Sequence, residues 1–321
     1  MPQGSIQQGR GILVSPILNP QVQPVLVQTV FSDPMAFDPM LLHPEHTRTT
    51  FRKLARQMSK LAGKPVPESV HKFRTSSRRV EVLVSDLGAT RSGNDKKLLK
   101  LLGRLRKKAG RVRDLDVQSA ALRSLRIPQE PGRKSQLMRT LSEERARREK
   151  KLAKSLDKQT IAEVRKRLKR TVASLEIPKN ADPLSLARQK LSDLEIDQGA
   201  VTERTLHQFR IAGKRARYVA ELAGKDPEAA RLIALLNHMQ DVIGDWHDWV
   251  QLADKAEKLF GGVQDSALVA ALRNITRAKF RQAVNTLTET RTALAGKKPV
   301  SVMPSAREPS QSASTAASAV A

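Results

Sequence analysis

The chain has 321 residues, with 58 Lys and Arg against 32 Asp and Glu, and a formal net charge of +26. So large an excess repels itself in a compact state unless a polyanion shares the charge, so the expected partner is nucleic acid, an anionic membrane surface or a phosphate polymer. Hydrophobic residues make up 39% of the chain, enough for a core, and the absence of cysteine excludes disulfides and thiol catalysis.

Residues 1–40 read as a poorly ordered arm, because Pro16, Pro20 and Pro24 break the apolar run "ILVSPILNPQVQPVLVQTVF". They show no charged start, apolar block and small-residue cleavage site of a secretory signal. No apolar run in the chain approaches the roughly 18 residues of a membrane span. His43 and His46 lie close together, but Pro44 between them argues against a helical pair of metal ligands.

From residue 45 to residue 296 apolar residues recur at threes and fours among Lys, Arg and Glu, the pattern of helix throughout. Pro65 and Pro67 precede the first well-marked helix, and "GATRSGND" at 88–95 ends it, with Asn94 or Asp95 the expected cap of the next. Further breaks stand at "RIPQEPGR" (126–133), "EIPKNADP" (176–183), "GKDP" (224–227) and "FGGVQD" (260–265). The punctuation predicts about eight to ten helices. Residues 297–321, rich in Ser, Ala and Pro, read as a disordered tail. The arm carries net −1 and the tail +2, leaving +25 on residues 41–296.

A single pattern occurs twice within the helical region. "VHKFRTSSRRVEVLVSDL" (70–87) and "LHQFRIAGKRARYVAELA" (206–223) share His-x-Phe-Arg, 136 positions apart. On a helix of about 100° per residue, His71, Arg74 and Arg78 share one face, and Phe73, Val80, Val84 and Leu87 the opposite one. In the second copy His207, Arg210 and Lys214 take the basic face, joined by Arg217, while Phe209, Ala216, Ala220 and Ala223 take the apolar one. The next helix repeats as well: "AGRVRDLDV" (109–117) aligns with "IGDWHDWVQ" (243–251), Asp114 on Asp248, at an offset of 134. Two helices in the same order with matching faces predict a duplicated unit, with halves at about 45–175 and 184–296, related by a pseudo-two-fold axis.

Cations at i and i+4 on one helix repel, so the helices would be more stable without these stripes, while guanidiniums match phosphate oxygens. A lone basic stripe is ordinarily a solvated face; its duplication argues for a binding role. Arg104, Lys107 and Arg111 form a further basic arc on the second helix, and residues 133–170 add fifteen Lys and Arg. For the isolated acids Asp114 and Asp248 the expected role is a salt bridge that holds a neighbouring arginine.

The segments "VHKFRTSSRRV", "RVRDLDV", "LHQFRIAGKRARYV" and "MQDVIGDWHDW" resemble the signatures of the CHAD family, the conserved histidine α-helical domain, over residues 45–296. The resemblance implies an all-α fold of two four-helix bundles related by internal pseudo-two-fold symmetry around a central basic groove or pore. It implies binding of inorganic polyphosphate, and a cytoplasmic place at polyphosphate granules. The polyphosphate contacts it implies are His71, Arg74, Arg78 and Arg79, with His207, Arg210, Lys214 and Arg217; Arg104, Lys107 and Arg111 are expected additions. The chain departs from the pattern at "GDWHDW", which is acidic where the first copy is basic and predicts a lopsided groove. The Glu-x-Glu-x-Lys signature of a triphosphate-hydrolysing domain, found in some members, does not occur.

Catalysis is not expected. The sequence has no Gly-rich phosphate loop and no HExxH, its carboxylates are scattered, and His71 and His207 stand among cations, which disfavours a metal. No cofactor is implied. Nucleic-acid binding is the rival reading, permitted by the charge. Aromatic residues make up only 3% of the chain and those of the repeat helices fall on the core side, so stacking platforms for bases are missing.

Overall fold

A computed structural model describes residues 44–127, 129–178, 181–192 and 201–295. The arm and tail expected at 1–40 and 297–321 lie outside these residues. Among the described residues the chain is all-helical, without strands. The helices are α1 (Pro44–Gly63), α2 (Pro67–Val82), α3 (Gly93–Ser124), α4 (Pro131–Ala153), α5 (Lys158–Ser174), α6 (Pro183–Ser192), α7 (Glu203–Ala220), α8 (Pro227–Phe260) and α9 (Ala267–Leu294).

The breaks come where the punctuation stands, with one correction and one addition. Ser92, rather than Asn94 or Asp95, is the N-cap of α3: it accepts from the Asp95 amide, and Asp95 reciprocates as its capping-box partner. Asn94 instead reaches Thr171 Oγ1 at 2.8 Å on α5. The addition lies inside the basic run 133–170, which is two helices; Asp157 accepts from the Thr160 amide at 2.6 Å and starts the second of them.

α3 and α8, of 32 and 34 residues, are the long axes of the fold. At 1.5 Å per residue each spans about 50 Å. α3 is covered by α4 and then α5, and α8 by the single helix α9. α1 packs on α2 as α6 packs on α7, and α2 packs on α3 as α7 packs on α8. Hydrogen bonds repeat too. Arg106 on α3 donates to Ser77 Oγ at 3.2 Å and to Glu81 at 2.8 Å on α2. At the aligned positions, Gln240 on α8 donates to the Gly213 carbonyl at 3.0 Å and accepts from Arg217 at 3.2 Å on α7.

The core is not divided at the boundary between the repeats. One apolar cluster includes Phe51, Phe73 and Leu102 from the first half and Phe209, Leu236 and Leu287 from the second. A second cluster joins the far ends of α3 and α8 to the starts of α4 and α9, through Leu115, Leu122, Leu137, Trp249, Leu252 and Leu268. Glu130 ties those two starts together. It enters α4 with a left-handed φ of 55°, and its carboxylate accepts from Ser266 Oγ at 2.7 Å and the Leu268 amide at 3.0 Å.

Candidate anion-binding site

Phe73 and Phe209 are buried, which fixes the rotation of α2 and α7 and turns their basic stripes away from the core. The two helices pack against each other, so the stripes meet. A cleft of about 160 Å³ is lined by Arg74 and Arg78 of α2 and by Arg210, Ile211 and Lys214 of α7. Asp114 of α3 and His247 and Gln251 of α8 complete its lining.

Burial first, and crowding of like charge second, shift the ionisable groups of the site. Burial, and then neighbouring cations, holds Arg74 and Arg78 below the usual guanidinium value, although Asp114 opposes this at Arg74 and Glu81 at Arg78. Lys214 is pushed down to about 7, first by burial and then by Arg210, Arg74 and Arg78. Burial raises Asp114 despite Arg74, Arg210 and Lys214, and pushes Asp248 up to about 6 despite Arg210 and Lys214. The salt bridges expected of these two acids do not close: the cations act on them through space, without a direct ion pair among the described residues. The Nε of Arg210 is buried with no hydrogen-bond partner. Arg78 has a long ion pair with Glu81 of its own helix, at 3.5 Å. Cations with so little close counter-charge are what a cleft for an external anion requires.

Arg74 is placed by a glycine. Its Nη1 donates to the Arg106 carbonyl at 3.3 Å, and a Cβ on Gly110 would come within 2.2 Å of that nitrogen. The aligned Gly244 faces open space. The two halves of the cleft are therefore built differently.

A second cleft of about 240 Å³ adjoins the first and shares Asp114 and Gln251 with it. It adds Arg111, Leu115, Gln118, Glu144, Arg148 and Lys255. Glu144 takes Arg148 at 3.1 Å and also Lys255, so two of its three cations are already paired. A polar relay lines the junction: Gln118 donates to Gln251 Oε1 at 3.1 Å, and Gln251 Nε2 lies 2.7 Å from His247 Nε2. Burial, Arg210 and His207 push His247 down to about 4, so it is neutral and accepts from Gln251.

The predicted residues thus divide. Arg74, Arg78, Arg210 and Lys214 share the first cleft, and Arg111 lines the second. Arg79 and Arg217 line neither; both clasp Glu221, at 3.0 and 2.6 Å, and Arg217 also lies over the Tyr218 ring at 4.3 Å. His71 is solvent-accessible, and partial desolvation of its ring, with Arg113, Arg74 and Arg217 nearby, holds it below its usual value. His207 is exposed, its ring centroid 5.9 Å from that of His247. Arg104 and Lys107 are exposed on α3, outside both clefts.

His247 and Gln251 join the site without having been predicted. The repeat holds a signal for His247, because the offset of 134 sets it on Arg113, the neighbour of His71. Gln251 aligns with Val117 and has none. Among the described residues no group of three or more His, Cys, Asp or Glu is gathered as a metal site, and no helix is long and apolar enough to cross a membrane.

Fold and site together define an all-helical protein whose two histidine-bearing helices face one cationic cleft. The chain belongs to the CHAD domain family, whose model matches residues 45–257. Its fold is similar to that of the CHAD domain crystal structure from the plant Ricinus communis, at 17% identity and a TM-score of 0.57, over 82% of this chain and 94% of that one. It is also similar to PptA from Streptomyces chartreusis, at 13% identity and a TM-score of 0.53, over 79% of this chain and 96% of that one. At these identities the likeness is one of fold. No curated protein matches the chain in sequence.

Proposed function

We propose that the protein binds inorganic polyphosphate in the cleft between α2 and α7, as a binding module without catalytic activity, and that it resides at polyphosphate granules in the cytoplasm. The carrying observation is the convergence of Arg74, Arg78, Arg210 and Lys214, from two copies of one pattern, on a single cleft. Membership of the CHAD family supports the reading. A chain of linked phosphates is a row of charge with nothing to stack or to read by hydrogen-bond pattern, and the cleft offers charge with no Phe, Tyr or Trp in its lining. We regard the helical unit as duplicated, two four-helix bundles about a pseudo-two-fold axis, with repeated contacts such as Arg106 to Ser77 and Gln240 to Gly213 in support.

The test is competition between long-chain polyphosphate and duplex DNA at two salt concentrations, with Arg74→Ala/Arg78→Ala and Arg210→Ala/Lys214→Ala. Charged hydrogen bonds contribute about 1.5–3 kcal/mol each, so each double variant is expected to lose one to several decades of polyphosphate affinity with helicity unchanged. Equal affinity for DNA and polyphosphate, with neither double variant impaired, overturns the reading and favours nucleic acid held by the outer basic run.

A further inference from the structure

Outside the cleft, α3 carries its own line of charge. Between Asp95 and Asp114 this helix has nine Lys and Arg and no acid. Lys97, Lys100, Arg104, Lys107 and Arg111 are all exposed and fall within about 80° of one another on the helical wheel. The line runs over residues 97–111, about 21 Å. Its i,i+3 and i,i+4 neighbours repel one another, with no acid between Asp95 and Asp114 to relieve them.

The same face then changes character. Leu115, Gln118 and Leu122 continue the line along α3, and all three are buried. The transition falls where the second cleft opens, lined by Arg111, Leu115 and Gln118. The exposed line therefore points into that cleft, which in turn adjoins the first.

The second copy has no such line. The offset of 134 puts Arg231, Ala234, His238, Asp241 and Asp245 at the positions of Lys97, Lys100, Arg104, Lys107 and Arg111. A polyanion leaving the clefts along α3 meets five cations, whereas the matching face of α8 offers one arginine, Arg231, and two acids, of which Asp245 is paired with Lys279 at 2.8 Å.

We propose that the α3 line from Lys97 to Arg111 is an outer subsite for the stretch of a polyphosphate chain that extends beyond the clefts, so that affinity grows with chain length and the polymer leaves the protein by one face. This rests on the polyphosphate reading of the cleft. Ligands too short to reach past Arg111 gain nothing from the line. Longer ones gain contacts without a second association cost, by effective concentration.

The experiment compares tripolyphosphate with long-chain polyphosphate on the full chain and on the variant Lys97→Gln/Lys100→Gln/Arg104→Gln/Lys107→Gln. These side chains are exposed, and Gln keeps helix propensity, so circular dichroism should be unchanged. The variant is expected to bind tripolyphosphate within about twofold of the parent and long chains at least about tenfold more weakly. Its salt dependence for long chains should fall by roughly one unit of slope per cation engaged. A parent and variant equal on long chains, or equally weakened on both ligands, overturns the outer subsite while leaving the cleft reading intact. Loss confined to duplex DNA also overturns it and makes the line a nucleic-acid surface. A parent that binds neither phosphate ligand defeats the cleft reading itself.

Discussion

Arg74 occupies the space that a side chain on Gly110 would fill, with Nη1 donating to the Arg106 carbonyl at 3.3 Å. Gly110→Ala is therefore expected to displace the guanidinium and to lower polyphosphate affinity. The obstacle is the tip of a flexible side chain, and Ala is favoured over Gly inside a helix by about 1 kcal/mol, so the fold should persist with equal or greater stability. Gly244→Ala, with nothing near its Cβ, should stabilise without loss of affinity. Titration of both variants with polyphosphate, beside thermal melts, checks this. Equal affinities would mean that Arg74 does not need its seat.

Binding should weaken as pH rises from about 6 to 8. Lys214, pushed down to about 7 from an ordinary 10.5, is fully protonated only below that value in the free protein. A bound polyanion favours the protonated form. The Lys214 contribution is then complete below pH 7, and affinity falls above it, by at most about tenfold per pH unit for one proton taken up. Asp248, pushed up to about 6, adds repulsion as it ionises through that value, which acts in the same direction. Calorimetry in buffers of different ionisation enthalpy should show proton uptake near pH 7. Lys214→Met should flatten the upper end of the profile and Asp248→Asn the lower. Affinity that rises with pH would contradict both assignments.

The same lysine gives the free protein the opposite trend. Between pH 7 and 10.5 the unfolded chain holds the Lys214 proton more readily than the folded one, so this residue's destabilising effect is full below about pH 7 and fades as pH rises toward 10.5. Melting temperatures of the parent and of Lys214→Met should therefore converge on the alkaline side. A difference that widens there would argue against a depressed lysine.

Glu221 holds Arg79 and Arg217 together across α2 and α7, with only 12% of its side chain exposed. Glu221→Ala takes the carboxylate from two half-buried guanidiniums, leaving Arg217 only Gln240 and the Tyr218 ring, and is expected to cost about 1–3 kcal/mol of stability. Arg79→Gln should lower the melting temperature more clearly than it lowers polyphosphate affinity. A reversed order, large in affinity and small in stability, would return Arg79 to the anion site.

Glu130 combines a left-handed backbone with two accepted hydrogen bonds at the start of α9. Both Glu130→Ala and Glu130→Gly lose the two bonds to the start of α9. Only Gly relieves the backbone, so the Gly variant should be the more stable of the two by about 1 kcal/mol or more in chemical denaturation. The reverse order would show that the backbone there is unstrained.

The sequence by itself determined the helices, because apolar spacing and proline and glycine breaks act locally. It also determined which residues of α2 and α7 share a basic face, because the helical period sets that before any packing occurs. Even so, Ser92 took the cap expected of Asn94 or Asp95, since Asn94 found a partner on α5, a helix that no proline or glycine marks off from α4. Only the tertiary structure decided which cations remain available. Arg78 and Arg79 are adjacent in sequence, yet one lines the cleft and the other is taken up by Glu221, 142 positions away. His247 and Gln251 likewise became members of the site only when α8 packed on α3. The physical reason is range: helix periodicity is written within a few residues, whereas the charge left on a guanidinium depends on a carboxylate that another helix brings within a few ångströms.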